Sequence, residues 1–331
     1  MSTPLNWGII GPGAIAHKFA TSLNEISCGK IYAVASRTEA RAREFANQYN
    51  APAVYDSYLT LLQDSKVDAV YIATPHPMHK EWTLKAAQHG KAVLCEKPAA
   101  LNSADTIEMI EACKAAGVFF LEAFMYRCHT QITKTLELLR DGTIGEVKSI
   151  DARFGFYVDR DPDGRLFAPE LGGGGILDVG CYPTSFARLI AGYKTGEILE
   201  PVSFKAVGEL GPTGVDEFTQ AVVTFENGIM ASLTTSIQLD MPNAATVYGT
   251  TGRLVIDEPW QPDFETCHIH IISNNGETTT HTLKPGKSHY AMQAELVAKH
   301  IKDGELPYPA MSHADTIGNM QTLDRWRSEI R

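Results

Sequence analysis

Three residues of the sequence belong to types that move protons or stabilise negative charge. Lys97 follows the apolar run AVLC and precedes a proline, and Asp178 and Tyr182 lie four residues apart in LGGGGILDVGCYP, residues 171–183. A helix would bring Asp178 and Tyr182 to one face. The usual pKa of tyrosine, about 10, is too high for a base at neutral pH, but an adjacent ammonium group would lower it. We therefore predict a proton-transfer site of Lys97, Tyr182 and Asp178; the alternative is that Asp178 lies in the first turn of a helix and Tyr182 only packs.

A glycine-rich turn after the first apolar run is the second candidate site. The sequence GPGAIA, residues 11–16, has the spacing G-x-G-x-x-A. Gly11 permits a tight turn, and Gly13 allows the backbone to approach a pyrophosphate. The following helix, with Ala14 and Ile15 in its first turn, would direct its N–H groups at the phosphates. We predict a dinucleotide-binding loop here; the alternative is a turn whose glycines are only structural.

The end of the second apolar run indicates which dinucleotide is bound. A site selective for NAD usually has an Asp or Glu here, which accepts a hydrogen bond from the ribose 2′-hydroxyl. This chain has Ser36 and Arg37 instead. A hydroxyl and a guanidinium suit a 2′-phosphate, so we predict NADP as the cofactor, with NAD possible. The alternative is that Arg37 stacks on adenine or lies in solvent.

The carboxyl ends of two later apolar runs supply further cofactor contacts. Ligands of open α/β sheets bind outside the carboxyl ends of the strands. The residues expected there are Thr74, Pro75, His76, His79, Glu96 and Lys97. No cluster of Cys or Asp completes a metal site with His76 and His79, so we expect no metal. Pro98 restricts Lys97 to extended conformations, and the sequence leaves open whether the bond between them is cis.

The spacing of apolar runs predicts two domains. Over the first 122 residues short runs alternate with helical patterns, which predicts βαβ units. Afterwards strand signals follow one another, and a helix is expected at residues 177–191. We predict an α/β protein with a doubly wound, parallel Rossmann domain at residues 1–122 and, at residues 123–331, an α/β domain with an open, mainly antiparallel sheet. The strand signals from residue 203 are FKAVGEL, FTQAVVTF, GIMASLTTSIQL, AATVYGTT, RLVIDEP and THTLK.

The composition limits the partners and the location that we expect. The chain has 331 residues, a formal net charge of −10 and a hydrophobic share of 44%. This charge argues against nucleic-acid or membrane partners, because both attract basic patches. No apolar run approaches the roughly 20 residues needed to cross a bilayer, and the first residues lack the basic region of a signal peptide. Six scattered cysteines without C-x-x-C spacing favour reduced thiols, so we expect a cytoplasmic protein.

Together these motifs resemble the Gfo/Idh/MocA family of NAD(P)-dependent oxidoreductases. The resemblance runs from about residue 5 to the C-terminus and rests on GPGAIA, ATPHPMH, CEKP, EAFMYRCH and GGGGILDVGCYP. It implies that Lys97 and Asp178 are the family's signature lysine and aspartate, and that Arg127 and Arg165 lie near cofactor or substrate. Many members have a histidine where this chain has Tyr182. That tyrosine is similar to the branch of dihydrodiol and NADP-dependent xylose dehydrogenases.

The residues and the resemblance together predict an NADP-dependent dehydrogenase. Its substrate would be a secondary or anomeric hydroxyl of a sugar, cyclic polyol or trans-dihydrodiol. Tyr182 would act as the general base, Lys97 would supply positive charge, and Asp178 would orient Tyr182 or the substrate. The family also implies a homodimer or larger homo-oligomer through the C-terminal sheet. The alternatives are a carbonyl or imine reductase of the same fold and a non-catalytic dinucleotide-binding regulator.

Overall fold

The structure is a computed structural model, and it describes residues 4–330. The described chain divides into two compact units. Unit 1 contains the chain up to Cys128 together with Lys287–Thr316, and unit 2 contains His129–Gly286 and the chain from Ile317 onward. Among the described residues, no helix is both long and apolar enough to cross a lipid bilayer.

Unit 1 is built on a parallel sheet with six strands in the described chain. They are β1 (Leu5–Ile10), β2 (Gly29–Ala35), β3 (Ala53–Tyr55), β4 (Ala69–Ile72), β5 (Ala92–Cys95) and β6 (Phe120–Glu122). Their order is β3-β2-β1-β4-β5-β6, and every neighbouring pair runs parallel. The order reverses between β1 and β4, which is the arrangement of a dinucleotide-binding Rossmann sheet. The predicted doubly wound sheet is confirmed.

Helices connect these strands. They are α1 (Ala14–Leu23), α2 (Glu39–Tyr49), α3 (Tyr58–Gln63), α4 (His79–Gln88) and α5 (Ser103–Ala116). α1 buries side chains at helical spacing, namely Ala16, Phe19, Ala20 and Leu23. α5 begins where the Asn102 side chain accepts a hydrogen bond from the Asp105 N–H, and it ends at Gly117, which is left-handed with φ +66°. The two ends of α5 therefore lie at residues that commonly cap helices, Asn102 and Gly117.

Unit 2 contains a large mixed sheet. Its strands are β7 (Val147–Gly155), β8 (Pro201–Leu210), β9 (Asp216–Phe225), β10 (Met230–Ser236), β11 (Ala244–Gly249), β12 (Gly252–Asp257), β13 (Cys267–Ser273) and β14 (Thr278–Leu283). Their order is β14-β13-β12-β11-β7-β10-β9-β8. β7 and β10 run parallel, and the other neighbours run antiparallel. The predicted mainly antiparallel sheet is confirmed.

The helices of unit 2 lie before and beside this sheet. α6 (Thr130–Arg140) precedes β7, and a π-helical turn, Ile176–Gly180, leads directly into α7 (Cys181–Ala191). α7 packs on β7 and β10, whose alternate residues such as Ile150 and Leu233 are buried. The chain ends with α8 (His289–His300), which belongs to unit 1, and α9 (His313–Glu329), within which the division between the units falls.

Three features differ from what the sequence pattern indicated. β13 was not among the expected strands, although Ile269 and Ile271 alternate with histidines in it. The helix expected at residues 177–191 begins as a π-helical turn rather than an α-helix. The segment 287–316 groups with unit 1, whereas a division into residues 1–122 and 123–331 places it in the second domain.

Candidate active site

The glycine loop after β1 has room for a phosphate. Gly11 has φ +88°, a left-handed conformation that favours glycine, and a Cβ there would lie 3.1 Å from the Ala73 carbonyl oxygen. A Cβ on Gly13 would meet no other part of the described chain within 4 Å. α1 begins at Ala14, so Ala14 and Ile15 stand in its first turn as predicted. The loop therefore fits a ligand that approaches the backbone and the helix N-terminus.

Thr74 lies beside this loop, at the carboxyl end of β4. Its Oγ1 is buried and has no hydrogen-bond partner within residues 4–330. Its Cγ2 would be 3.1 Å from a Cβ on Gly11. Buried hydroxyls are usually hydrogen-bonded, so an unsatisfied hydroxyl next to an open phosphate loop fits a bound dinucleotide. Pro75 follows it and precedes a short 3₁₀-helix, His76–Met78.

Ser36 and Arg37, predicted to contact a 2′-phosphate, follow the end of β2, and a second arginine, Arg41, lies in the first turn of α2. Ser36 is buried, and Arg37 is exposed. Burial raises the pKa of Tyr58 and the positive charges of Arg37 and Arg41 lower it, so both guanidinium groups lie near this side chain. Arg41 was not among the predicted residues. The sequence signal that could have identified Arg41 is its spacing of four residues from Arg37.

The His79 ring forms hydrogen bonds to the segments that follow β4 and β5. Its Nδ1 lies 2.9 Å from the Pro98 carbonyl oxygen and its Nε2 lies 2.8 Å from the Thr74 carbonyl oxygen. Burial lowers the pKa of His79, against the opposing effect of these carbonyls; a neutral ring donates to one of them and a protonated ring to both. The ring of His76 lies 5.7 Å away. This geometry gives His79 a positioning role, and direct contact of either histidine with a cofactor stays a prediction.

Lys97 stands at the end of β5 on a backbone that Glu96 holds. The Tyr71 hydroxyl donates a hydrogen bond to Glu96 Oε1, and the Lys97 N–H donates to Glu96 Oε2 over 3.2 Å. The Lys97–Pro98 peptide bond is cis. Glu96 is buried and Lys97 is half-buried, at the sheet edge where ligands of such folds bind. Glu96 therefore fixes the start of the loop that carries Lys97.

Arg127 lies in the interior of unit 1. Its Nη2 donates to Asp315 Oδ2 over 2.7 Å and its Nε donates to the Pro309 carbonyl oxygen over 2.6 Å, and both charged side chains are buried. A third donor, Nη1, lies 3.3 Å from the Met311 sulfur. Loss of either partner would leave a buried charge unpaired, which is strongly destabilising. A contact between Arg127 and the cofactor stays a prediction.

Asp178 lies in the π-helical turn of unit 2. Arg165 donates from Nη1 to Asp178 Oδ1 over 2.7 Å, and Asp178 is buried while Arg165 is about half exposed. Arg165, predicted near the cofactor or substrate, is thus joined to a predicted catalytic residue; its contact with the cofactor stays a prediction. π-helical turns occur frequently at functional sites.

Tyr182 follows in the first turn of α7, within an aromatic cluster. Its ring centroid lies 5.3 Å from that of Phe154 on β7 and 5.9 Å from that of Trp260. Trp260 is held by a hydrogen bond from its Nε1 to the Arg153 carbonyl oxygen, 2.9 Å long. The cluster fixes the phenol ring. Phe154 and Trp260 were not predicted, because only the fold brings them to Tyr182.

The sequence analysis predicted that the protein has no metal site. Within residues 4–330, no three His, Cys, Asp or Glu side chains are grouped as ligands of one ion would be. The statement that the reaction uses no metal stays a prediction.

Comparison with known proteins assigns both parts of the chain to one family. Residues 5–124 match the Gfo/Idh/MocA model described as an oxidoreductase family with an NAD-binding Rossmann fold, and residues 132–255 match the Gfo/Idh/MocA C-terminal domain. The chain therefore belongs to the Gfo/Idh/MocA family of oxidoreductases, and the resemblance seen in its motifs is confirmed.

Individual relatives narrow the comparison. Trans-1,2-dihydrobenzene-1,2-diol dehydrogenase of Mus musculus is 38% identical over 260 residues, which cover 78% of this chain and 76% of that protein. D-xylose 1-dehydrogenase (NADP(+)) 2 of Haloferax volcanii is 32% identical, covering 96% of this chain and 95% of that protein. The structure of the 3-ketoreductase KijD10 from Actinomadura kijaniata with NADP and TDP-benzene has a TM-score of 0.89 at 28% identity, covering 99% of this chain and 98% of that chain. The chain is thus similar over most of its length to dehydrogenases and a ketoreductase.

Proposed function

We propose that this protein is an NADP-dependent dehydrogenase acting on a secondary or anomeric hydroxyl of a sugar, cyclic polyol or dihydrodiol. The observation that carries the proposal is the segment of unit 2 that holds both Asp178 and Tyr182. Arg165 fixes the carboxylate of Asp178, and aromatic rings fix the phenol of Tyr182. The relatives named as diol and xylose dehydrogenases support the substrate class.

The three proposed catalytic residues have different roles. A bound nicotinamide supplies the acceptor for the hydride that leaves the carbinol carbon. Tyr182 accepts the hydroxyl proton as general base, and Lys97 stabilises the negative charge that develops on the same oxygen. Asp178, held by Arg165, orients Tyr182 or the substrate.

The proposed cofactor is NADP, with NAD as the weaker alternative. Gly11, Gly13 and the first turn of α1 would hold the pyrophosphate, with Thr74 donating from its buried hydroxyl. Ser36 and Arg37 would hold the 2′-phosphate, and Arg41 adds a second positive charge. The NADP in the structure of the related ketoreductase supports this choice. The other proposed contacts are Pro75, His76, His79, Glu96, Lys97, Arg127 and Arg165.

A second candidate is the reverse reaction, reduction of a ketone on a sugar. The similarity to a 3-ketoreductase over nearly the whole chain favours it. The same residues serve in both directions, because Tyr182 as a phenol would donate the proton that it accepts in the oxidation.

We propose that two copies pair through the outer face of the unit 2 sheet. The strand register places Val207, Val222, Met230 and Tyr248 on one face, and all four are exposed, Val207 at 72%. Large exposed apolar groups on one surface mark an interaction site. A second copy of this chain is the proposed partner, as the family implies.

The proposed location is the cytoplasm. No disulfide joins any of the six cysteines in the described chain, which suits a reducing compartment. The formal net charge of −10 supports a small-molecule substrate rather than nucleic acid or an anionic membrane.

The proposal is tested by following the absorbance of reduced nicotinamide with a panel of aldoses, cyclic polyols and trans-dihydrodiols. Each is offered with NADP⁺ and with NAD⁺, and matching ketones are offered with NADPH. We expect turnover on at least one hydroxyl substrate, with a higher kcat/KM for NADP⁺. Tight NADPH binding without turnover in either direction would instead indicate the regulator.

A further inference from the structure

Asp216, at the start of β9, contacts the backbone of the glycine run that precedes Asp178. The Ile176 N–H donates to Asp216 Oδ2 over 2.6 Å, and the Gly175 N–H also bonds to this carboxylate. Gly174 has φ +108°, and a Cβ there would overlap Asp216 Oδ1. Within the run GGGG, Gly174 is therefore a position that needs glycine, because a side chain there would keep the backbone away from the carboxylate.

The same turn is held from a second strand. The Thr235 hydroxyl on β10 donates to the Gly175 carbonyl oxygen over 3.1 Å. A Cβ on Gly180, at the other end of the π-helical turn, would lie 3.1 Å from Thr235 Cγ2. The turn thus begins and ends against groups that β9 and β10 fix in place.

The charged side chains on the elements near Asp216 are Arg327 on α9, the Arg160–Glu217 pair and the Arg165–Asp178 pair. Of these, Arg327 lowers the pKa of Asp216, and it also pairs with Asp324 over 3.9 Å. Burial raises the pKa of Asp216 to about 7, against the lowering effect of backbone N–H groups and of Arg327. An open pocket of about 100 Å³, lined by Asp216 and Arg327 among others, gives the carboxyl group access to protons from solvent.

Charge on Asp216 matters because its hydrogen-bond partners are donors. A carboxylate accepts strong hydrogen bonds from the Ile176 and Gly175 N–H groups. A neutral carboxyl group accepts more weakly and brings an O–H of its own to a place where donors already point. Protonation therefore weakens the contact that fixes the turn.

We propose that the Asp216 carboxylate positions the segment carrying Asp178 and Tyr182, and that loss of its charge loosens this segment and slows turnover. Asp216 is a positioning residue, since it acts through the backbone of Gly175 and Ile176. The effect on turnover rests on the proposed function. The effect on the turn itself does not.

The contact with the turn is tested by NMR on protein labelled with ¹⁵N-isoleucine. The Ile176 amide signal is assigned from its loss in Ile176→Val, and its chemical shift is followed from about pH 5.5 to about pH 8.5. We expect the Ile176 signal to move with a midpoint near neutral pH in the wild type and to stay fixed in Asp216→Asn. A signal that does not move in the wild type, or moves equally in the variant, would overturn the inference.

The effect on turnover is tested by the ratio of wild-type to Asp216→Asn kcat across the same pH range. The ratio removes any dependence on pH that the two proteins share. We expect a ratio of about 1 at about pH 5.5 that rises to about 10–100 at about pH 8.5, since misplacement of a reacting group by about 1 Å costs up to about 10²-fold. NADPH affinity, to which unit 1 supplies most of the proposed contacts, should change far less than kcat.

Glu217→Gln is the matched control. Glu217 is the next residue on β9 and is also buried, but it accepts hydrogen bonds from Arg160 Nε at 2.9 and 3.2 Å. Its kcat ratio to the wild type should not vary with pH. A ratio for Asp216→Asn that is equally flat would overturn the inference while leaving the proposed function intact. Absence of any turnover by the wild type would overturn the proposed function, and the Ile176 signal would then decide the positioning role alone.

Discussion

Lys97, Asp178 and Tyr182 are each held by a different kind of interaction. A hydrogen bond from its own N–H to Glu96 fixes Lys97, an ion pair with Arg165 fixes Asp178, and aromatic rings fix Tyr182. Tyr182 is buried against the rings of Phe154 and Trp260, and the proposal gives its phenol the transfer of the substrate proton. At the scale of single residues, the general base is therefore the assignment to test first.

Tyr182→Phe should lower kcat about 10²–10⁴-fold, because the ring keeps its packing but loses the group that takes the proton. Steady-state kinetics at saturating NADP⁺ measure this. Tyr193→Phe, a change at another buried tyrosine of unit 2, should leave kcat unchanged. If Tyr182→Phe keeps near-normal kcat while Asp178→Asn abolishes it, the base is Asp178.

Replacing Arg37 and Arg41 together with Ala should weaken NADP⁺ binding about 10–100-fold, since two charge-assisted contacts to the 2′-phosphate would be lost. NAD⁺ lacks that phosphate, so its KM should change little. Arg43→Ala is the control, because Arg43 lies on the same helix but pairs with Glu39. Equal weakening of NADP⁺ and NAD⁺ would contradict the assignment.

The elements that carry these residues explain two glycine positions. The first unit uses Gly11 to turn from β1 into α1, and the second uses Gly174 to bring the π-helical turn against β9. Both glycines have positive φ, and both sit against atoms that a side chain would meet. Each marks a place where an element must approach another group closely so that a site can form.

Gly174→Ala should therefore lower both stability and kcat. It carries a backbone cost of about 1–2 kcal/mol for the left-handed conformation, and in addition it displaces the Asp216 carboxylate. Gly228→Ala separates the two effects, because Gly228 has φ +81° but open space around a Cβ. Urea unfolding and kcat should show that both variants lose stability and that only Gly174→Ala loses turnover. Equal kcat in both variants would argue against the role given to the turn.

At the scale of the whole molecule, one face of the large sheet carries the exposed apolar side chains of Val207, Val222, Met230 and Tyr248. Val222 lies on β9, between β8 and β10. Val222→Asp should convert the proposed dimer to monomers, because a charge would be buried in an apolar interface. Light scattering after size exclusion measures this, and Ile107→Asp, at an exposed position on α5, should leave the mass unchanged. A monomeric wild-type protein would contradict the proposed dimer.

Asp216 should also make the stability of the molecule depend on pH. Its pKa is raised in the folded state from 3.8 to about 7, so the folded state binds the proton more tightly than the unfolded chain does. Its contribution to the free energy of unfolding is greatest below about pH 4, falls by at most about 1.4 kcal/mol per unit as pH rises to about 7, and is level above that. Urea unfolding of wild type and Asp216→Asn should show their difference falling across this window. A constant difference would contradict the raised pKa.

The local patterns were sufficient to predict the strands of unit 1, the helices between them and the glycine turn after β1, whereas the catalytic roles of Lys97, Asp178 and Tyr182 stay predictions. Apolar strands of three to seven residues with helical segments between them leave a parallel sheet as the way to bury both faces. β13 was missed because its histidines face outward between buried isoleucines, as in Ile269 and Ile271. The π-helical turn was missed because an extra residue in a turn leaves no clear trace in residue spacing.

The sequence by itself determined the family, and it indicated the glycine loop and the residue types proposed to carry the chemistry, since each depends on short stretches whose spacing is set by local geometry. Only the tertiary structure decided what holds those residues. The pairing of Arg165 with Asp178, the aromatic rings around Tyr182 and the contact of Asp216 with Ile176 join positions 13 to 78 residues apart. The same holds for the segment after Gly286, whose Ser288 N–H bonds to Glu25 over 2.6 Å in unit 1. Such contacts depend on how the elements pack, and the local spacing of residues does not predict this packing.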